Sequence, residues 1–135
     1  FNGVYWHNGK YVAEALKNIN HIMRDFHAHD IKQIDTHLLD LLSVISIKLQ
    51  PEKPFHIISG YRSPETNAKL RKSGKGAAKN SYHIQGKAVD IRLPGYRTSV
   101  LRRTAFKLRK GGVGYYPHQK FVHIDVGPIR YWKGT

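Results

Sequence analysis

Apolar residues recur at helical spacing in three stretches of the chain, and each stretch predicts an amphipathic helix. The first covers the range from Val12 to about His29. The second extends from Asp35 to Leu49, and aspartate is a residue type often found at the N-cap position. The third covers about 97 to 110 and carries many basic residues. A shorter helix is expected from about Pro64 to Lys72, because Ser63 followed by proline is typical of a helix start.

Alternation of polar and apolar residues predicts strands in the second half of the chain. After Gly86, alternation places Val89 and Ile91 on one face and Asp90 on the other. Residues 113–116 and 121–126 are predicted to pair antiparallel around a short turn. The apolar run Phe55–Ile58 predicts a buried strand. Residues 1–10 are expected to form a short hairpin or an ordered arm, and residues 73–80 a glycine- and lysine-rich loop.

The polar faces of two predicted strands carry side chains that can bind a metal ion. Asp90 lies in the middle of the first strand, where an unpaired carboxylate would be costly. His123 and Asp125 share one face of the second strand, and His83 precedes the glycine turn before the first. Two imidazoles and one carboxylate, with a fourth position left for water, form a catalytic zinc arrangement. The alternative is that these are core polar residues with ordinary hydrogen-bond partners.

Four motifs carry a resemblance to a known family. They are Ser81-x-His83-x-x-Gly86-x-Ala88-x-Asp90, Ile58–Ser63, Gly111–Pro117 and Phe121–Asp125. Together they resemble the zinc peptidases of bacterial cell walls, the D-alanyl-D-alanine carboxypeptidase and murein endopeptidase group, which is related to the hedgehog amino-terminal domain. The similarity covers nearly the whole chain.

The resemblance implies an α+β fold with a small antiparallel sheet that carries a zinc ion and helices packed on its other face, as one domain over residues 1–135. In that family two histidines and an aspartate bind Zn²⁺, which carries over to His83, Asp90 and His123. The implied reaction is hydrolysis of an amide in the peptide part of peptidoglycan, with cross-link cleavage by an endopeptidase as the expected activity. A murein D,D- or L,D-carboxypeptidase is the alternative on the same site.

Further residues are expected to contact substrate or to stabilise charge. Arg62 follows a predicted strand. In similar enzymes an arginine before the first zinc histidine holds substrate and stabilises developing charge. The alternative is that Arg62 forms a structural ion pair with Glu65. The expected substrate-binding residues are Tyr61, Ser81, Tyr82 and Tyr116. Each tyrosine can equally be a packing residue, and Ser81 can instead cap its turn.

The general base is not evident from the sequence. Several relatives have Glu or Asp three residues before the last zinc histidine, where this chain has Lys120. Asp125 can act as the base or can orient a zinc histidine. His118 lies where some carboxypeptidase relatives have a histidine, and it can exchange protons near neutral pH.

The composition adds a strong positive charge. Lys and Arg number 23 against 9 Asp and Glu, a formal net charge of +14, which favours a polyanionic partner such as nucleic acid, a wall polymer or an anionic lipid surface. The alternative is a solvated basic face without a specific ligand. The resemblance favours the wall polymer, and no specific nucleic-acid partner is expected. No apolar run is long enough to span a membrane, and the chain lacks cysteine and starts without the features of a signal segment. We expect an exported, periplasmic protein that is a monomer, with this sequence representing its mature part. The rival hypothesis is a non-catalytic wall- or nucleic-acid-binding module on the same fold.

Overall fold

A computed structural model describes residues 3–74 and 77–135. Within these residues the helices are α1, α2, α3 and α4, with bounds Ala13–Ile22, Thr36–Leu49, Pro64–Lys72 and Thr98–Leu108. The strands β1 to β7 are Trp6–His7, Lys10–Tyr11, His56–Ser59, Ala88–Arg92, Gly112–Tyr116, Phe121–Asp125 and Arg130–Lys133. A 3-10 turn over Tyr82–Gln85 precedes β4. Residues 1–2 of the predicted hairpin and 75–76 of the predicted loop lie outside the described residues.

The helix starts follow from local sequence. The Asp35 carboxylate accepts a hydrogen bond from the His37 backbone N–H at the start of α2, and the Ser63 hydroxyl accepts one from the Thr66 N–H at the start of α3. Both caps and the bounds of α3 confirm the predictions. The predicted first helix was too long, because α1 ends at Ile22. There the Asp25 carboxylate accepts hydrogen bonds from the backbone N–H groups of His27 and Ala28, which stabilises a turn in place of helix.

The larger sheet has the strand order β3-β4-β6-β5-β7 in the described part of the chain. Strands β3 to β6 pair antiparallel, as predicted, whereas β7 pairs parallel with β5. The sheet is therefore mixed, and the prediction missed β7. The predicted burial of the Phe55–Ile58 run was also wrong, because β3 is an edge strand and His56 and Ile58 are exposed.

One face of this sheet packs against helices and forms the core. Helix α4 contacts β5 and β6, and α2 contacts α4. The apolar members of the strand alternation point into this layer. They are at most 4% exposed and comprise Val89, Ile91, Val113, Val122 and Ile124. These contacts confirm an α+β architecture with helices on one face of the sheet. The opposite face carries Asp90 and His123, which lie side by side across β4 and β6.

Candidate metal centre

Three sequence-predicted side chains meet on the face of the sheet opposite the helices. Asp90 in β4 and His123 in β6 are direct cross-strand neighbours, so their side chains leave the sheet on the same side. His83 reaches them from the 3-10 turn, which the Ser81 hydroxyl caps by accepting from the His83 N–H. The turn ends at Gly86, whose φ of 69° lies in the left-handed region that glycine adopts at little cost. One donor atom from each of the three residues lies within 4.8 Å of the others.

Hydrogen bonds behind the histidines define which ring nitrogen faces the cluster. The Gly60 carbonyl lies 2.8 Å from His83 Nδ1, and a carbonyl can only accept, so Nδ1 carries the proton and Nε2 faces Asp90 at 3.2 Å. The Asp125 carboxylate lies 2.7 Å from His123 Nε2, so that nitrogen donates and Nδ1 faces Asp90 at 2.9 Å. The cluster therefore presents His83 Nε2, His123 Nδ1 and an Asp90 oxygen toward a common point.

This donor set fits a divalent metal ion. His83 and Asp90 are 3% and 8% exposed, which is the setting in which two imidazole nitrogens and a carboxylate favour a cation between them. Each imidazole also has the outer hydrogen bond that metal-bound histidines usually make to a carbonyl or carboxylate.

The electrostatics of the cluster favour positive charge. Burial would raise the pKa of Asp90, but the charge and hydrogen bonds of His83 and His123 lower it below its ordinary value. Burial would lower the pKa of His123, but hydrogen bonds to Asp125 and Asp90 and the charges of both carboxylates raise it. A bound metal would replace the protons that these charges otherwise attract.

Asp125 is completely buried behind His123. Its Oδ1 accepts from the backbone N–H groups of Gly112 and Gly127 at 3.0 and 2.9 Å and from Arg130 at 3.1 Å. Its Oδ2 accepts from His123 at 2.7 Å and from Arg130 at 2.9 Å. Burial acts to raise the pKa of Asp125, and these bonds outweigh it and hold the pKa below the usual range. Both oxygens are thus occupied by donors.

Arg62 lies in the segment between β3 and α3. Its backbone N–H donates to the His83 carbonyl at 3.1 Å, and its guanidinium donates to Asn67 Oδ1 and to the Ser59 hydroxyl at 3.1 and 3.3 Å. These partners are neutral, and Glu65, the predicted structural partner, is not among them. Burial lowers the pKa of Arg62, whereas the charges of Asp90 and Asp25 oppose that change. An arginine guanidinium stays charged in proteins, so Arg62 supplies a cation next to the turn that carries His83.

The other predicted site residues have different surroundings. Tyr61 packs against the hydrophobic core, and Tyr82 lies under the Arg130 guanidinium at 5.3 Å. Tyr116 stacks on Phe121 with ring centroids 4.4 Å apart and accepts a hydrogen bond from the Trp132 indole at 2.9 Å. His118 is exposed in the turn between β5 and β6. Lys120 ends this turn three positions before His123, about 10 Å along a strand.

Sequence reasoning missed two residues at this site, Arg130 and Trp132, because β7 was not predicted. Both project from β7 over glycines of β5, since Gly112 pairs with Arg130 and Gly114 with Trp132. A Cβ at Gly114 would lie 2.6 Å from the Trp132 ring, and one at Gly112 would lie 2.6 Å from Asp125 Oδ2. The glycine spacing Gly112-x-Gly114 was the available signal, because alternate glycines in a strand leave room for large neighbours.

A His–Asp–His cluster of this kind, on the open face of an α+β sheet, has the ligand types of a catalytic metal centre. The comparisons with known proteins agree. A family model described as "Peptidoglycan L,D-endopeptidase MepK" matches residues 1–132. The chain belongs to this family.

The relatives carry the same name. The protein named Peptidoglycan L,D-endopeptidase MepK from Escherichia coli (strain K12) is 48% identical over 122 residues, which is 90% of this chain and 67% of that protein. The protein of that name from Shigella flexneri gives the same values. A probable peptidoglycan L,D-endopeptidase MepK from Haemophilus influenzae is 42% identical over 121 residues, 89% of this chain and 65% of that protein.

Proposed function

We propose that this chain is a zinc-dependent peptidoglycan hydrolase that cleaves an amide between an L- and a D-centre in murein peptide cross-links. The observation that carries the proposal is the convergence of His83 Nε2, Asp90 and His123 Nδ1 on one buried point. The activity named for relatives at 48% and 42% identity supports the substrate. A non-catalytic binding module is not favoured, because relatives that match about nine-tenths of this chain are named endopeptidases.

Zinc is assigned to this donor set, because the family that the sequence resembles binds zinc through two histidines and an aspartate. Two imidazole nitrogens and one carboxylate oxygen leave a fourth position free, as in catalytic zinc sites, whereas Mg²⁺ and Ca²⁺ favour sites made of oxygen ligands alone. When bound, zinc supplies a Lewis acid that polarises the scissile carbonyl and makes water a nucleophile near neutral pH.

Arg62 is assigned the role of stabilising the negative charge that develops on the carbonyl oxygen during hydrolysis. Its guanidinium is held by neutral partners, Asn67 and Ser59, so its charge is not neutralised by an adjacent carboxylate. Its backbone is tied to the His83 carbonyl, which fixes the guanidinium relative to the metal-binding turn. A cation preorganised in a partly buried site stabilises such charge without reorganisation.

Asp125 is assigned to orientation of His123 and not to proton transfer. A general base needs a free oxygen within reach of the water that it activates. Both oxygens of Asp125 are hydrogen-bonded, and its side chain has no exposed surface. His118 is accessible to solvent, but the turn that carries it ends about 10 Å from His123.

An aromatic wall, made of Tyr116, Phe121 and Trp132, is assigned to substrate binding. Trp132 lies 5.2 Å from the His123 ring, and its indole is fixed by the hydrogen bond to Tyr116. All three side chains are partly exposed beside the metal centre, where they can cover the alkyl part of a stem peptide. Tyr82 is assigned to substrate binding at the edge of this surface. Ser81 and Tyr61 are assigned to the support of the site, through the turn cap and the core.

Peptidoglycan as the substrate implies a periplasmic or otherwise external location. No helix within the described residues is long and apolar enough to cross a membrane. The net charge of +14 favours contact with an anionic wall polymer. Residues 1–135 act in this proposal as one peptidase domain and as a monomer.

Digestion of purified cross-linked muropeptides with mass analysis of the fragments tests the proposal. Dimers joined through an L,D linkage, dimers joined through a D,D linkage and uncross-linked monomers are incubated in parallel, with and without a zinc chelator. We expect only the L,D-linked dimers to be cut, and only without the chelator. Removal of a terminal residue from monomers would identify a carboxypeptidase. Binding without cleavage of any substrate by zinc-loaded protein would identify the binding module.

A further inference from the structure

Arg130 makes an unusually complete set of contacts for a residue in a terminal strand. Its guanidinium grips both oxygens of Asp125, with Nη1 at 3.1 Å from Oδ1 and Nη2 at 2.9 Å from Oδ2. Nη1 also donates to the Pro128 carbonyl at 2.9 Å, although the side chain is 40% exposed. Two parallel N–H···O bonds fix a carboxylate in both position and rotation, which a single donor does not do.

The two hydrogen bonds from Arg130 determine how Asp125 interacts with His123. Every other contact of Asp125 comes from a donor, either Arg130 or the backbone N–H groups of Gly112 and Gly127. Asp125 can therefore only accept from His123, so Nε2 keeps its proton when a metal replaces the proton that Nδ1 shares with Asp90. The tautomer that can bind metal through Nδ1 thus depends on how Asp125 is held.

Arg130 also touches the part of the site that carries the other histidine. Its guanidinium lies between two rings, 5.3 Å from Tyr82 and 5.1 Å from Trp132. Tyr82 directly precedes His83 in the 3-10 turn, and Trp132 lies beside His123. A planar guanidinium can stack on aromatic rings while it donates in its own plane, which a lysine ammonium cannot do. Arg130 therefore links the two structural elements that present the imidazoles.

We propose that Arg130 is a positioning residue of the metal centre, whose bidentate grip on Asp125 sets the His123 tautomer that binds metal through Nδ1. The inference rests on the metal site of the proposed function and extends it to a residue outside the donor set. It predicts that metal affinity depends on the fork geometry of Arg130 and not only on its positive charge.

The test compares Arg130→Met and Arg130→Lys with the control Arg102→Met. Arg102 is matched because its guanidinium also lies over a ring, 4.8 Å from the centroid of Tyr115, yet this ring is packed against the hydrophobic core. Zinc affinity is measured by competition with a chromogenic chelator. The protonation of the His123 ring nitrogens is followed by ¹⁵N NMR of the zinc-free protein at a pH at which the ring is neutral, and the melting temperature of the same protein reports folding.

We expect Arg130→Met to weaken zinc binding by about tenfold, the lower end of the range for loss of the partner of a metal-bound histidine, because Asp125 itself is still present. Its His123 signals should show loss of the single Nε2–H form, and Arg102→Met should match the wild type in affinity and spectrum. Arg130→Lys should lie between the two. A folded Arg130→Met with wild-type zinc affinity and an unchanged His123 spectrum would overturn the proposal, even if its melting temperature fell. Should Arg130→Met not fold, wild-type affinity in Arg130→Lys would overturn it equally.

The same measurements separate this inference from the proposed function. If the wild-type protein binds no zinc at His83 and His123, the proposed function fails. If it binds zinc and cleaves cross-links while Arg130→Met retains full affinity, only the role of Arg130 fails.

Discussion

The two faces of the larger sheet use alternate residues of the same strands for different purposes. On the helix-covered face, Val89 and Ile91 of β4 lie against Val122 and Ile124 of β6, all without exposed surface. On the open face, Asp90 lies against His123. The first face is stabilised by non-directional burial, in which one apolar side chain can often replace another of similar volume. The second depends on directional hydrogen bonds, so the identity of each residue and its register matter.

The two faces should therefore contribute differently to folding stability and to metal binding. Loss of a core side chain should reduce the free energy of unfolding and leave the metal centre intact in the molecules that remain folded. Loss of a metal-face side chain should abolish or weaken metal binding at a smaller cost to the fold of the metal-free protein.

The largest effect is expected for His83→Ala combined with His123→Ala. Two of the three donors are removed, so zinc content should fall from one ion per chain to background, and cross-link cleavage should be lost. Elemental analysis of the purified protein measures the zinc, and circular dichroism checks the fold. One zinc ion retained per double-mutant chain would place the metal elsewhere.

Ile124→Ala tests the opposite face. Ile124 has no exposed surface, so its truncation should lower the free energy of unfolding by about 2–5 kcal/mol through lost burial and the cavity left behind. Denaturant titration of the zinc-free protein measures this change. Zinc stoichiometry at low temperature should stay at one per chain, and loss of zinc from folded protein would show that the two faces are not separable.

Arg62→Ala should lower turnover by about 10² or more with unchanged zinc content, as for loss of one donor to a developing oxyanion. The measurement is the rate of cleavage of an L,D-linked dimer at saturating substrate. Lys69→Ala, which removes an exposed positive charge from α3, is a control for general electrostatic effects. A fall in zinc content or a collapsed melting transition in Arg62→Ala would indicate a structural role instead.

Asp125→Asn should weaken zinc affinity by roughly 10–100-fold, because an amide can donate to His123 Nε2 and thereby move the ring proton to Nδ1. Activity should recover partly when zinc is added in excess. Activity that stays low at saturating zinc would contradict the orienting role and assign proton transfer to Asp125.

The smallest effect is expected for His118→Ala. His118 is exposed in the β5–β6 turn, so the loss of activity should be less than about tenfold, below the 10²–10⁴ typical of general acid–base catalysis. The pH dependence of kcat/KM measures it. Disappearance of one limb of the profile would make His118 the proton-transfer residue.

The features that the sequence predicted depend on local signals or on the alternation that separates the two faces of the sheet. Local signals predicted α3 and the cap of α2, because Ser63, Pro64 and Asp35 act on neighbouring backbone groups. Period-two alternation predicted which residues of β4 and β6 face the core. The same alternation brought Asp90 and His123 to one face, and the motif around His83 completed the set.

The missed features depend on contacts distant in sequence. Nothing local distinguishes Arg130 from other surface arginines, because its role arises from the parallel pairing of β7 with β5 and from the space above Gly112. The exposure of Ile58 follows from the edge position of β3, which an apolar run does not reveal. The early end of α1 depends on Asp25, which also accepts from the Ser63 N–H 38 residues away.

Crystallography of the zinc-loaded protein, with anomalous diffraction at the zinc edge, shows directly which atoms hold the metal ion. The hydrogen bonds from His83 Nδ1 to Gly60 and from His123 Nε2 to Asp125 predict one anomalous peak bonded to His83 Nε2, Asp90 and His123 Nδ1. The expected distances are about 2.0–2.2 Å to each donor. A peak at another location, or zinc bound through His123 Nε2 with the Asp125 hydrogen bond broken, would contradict the account.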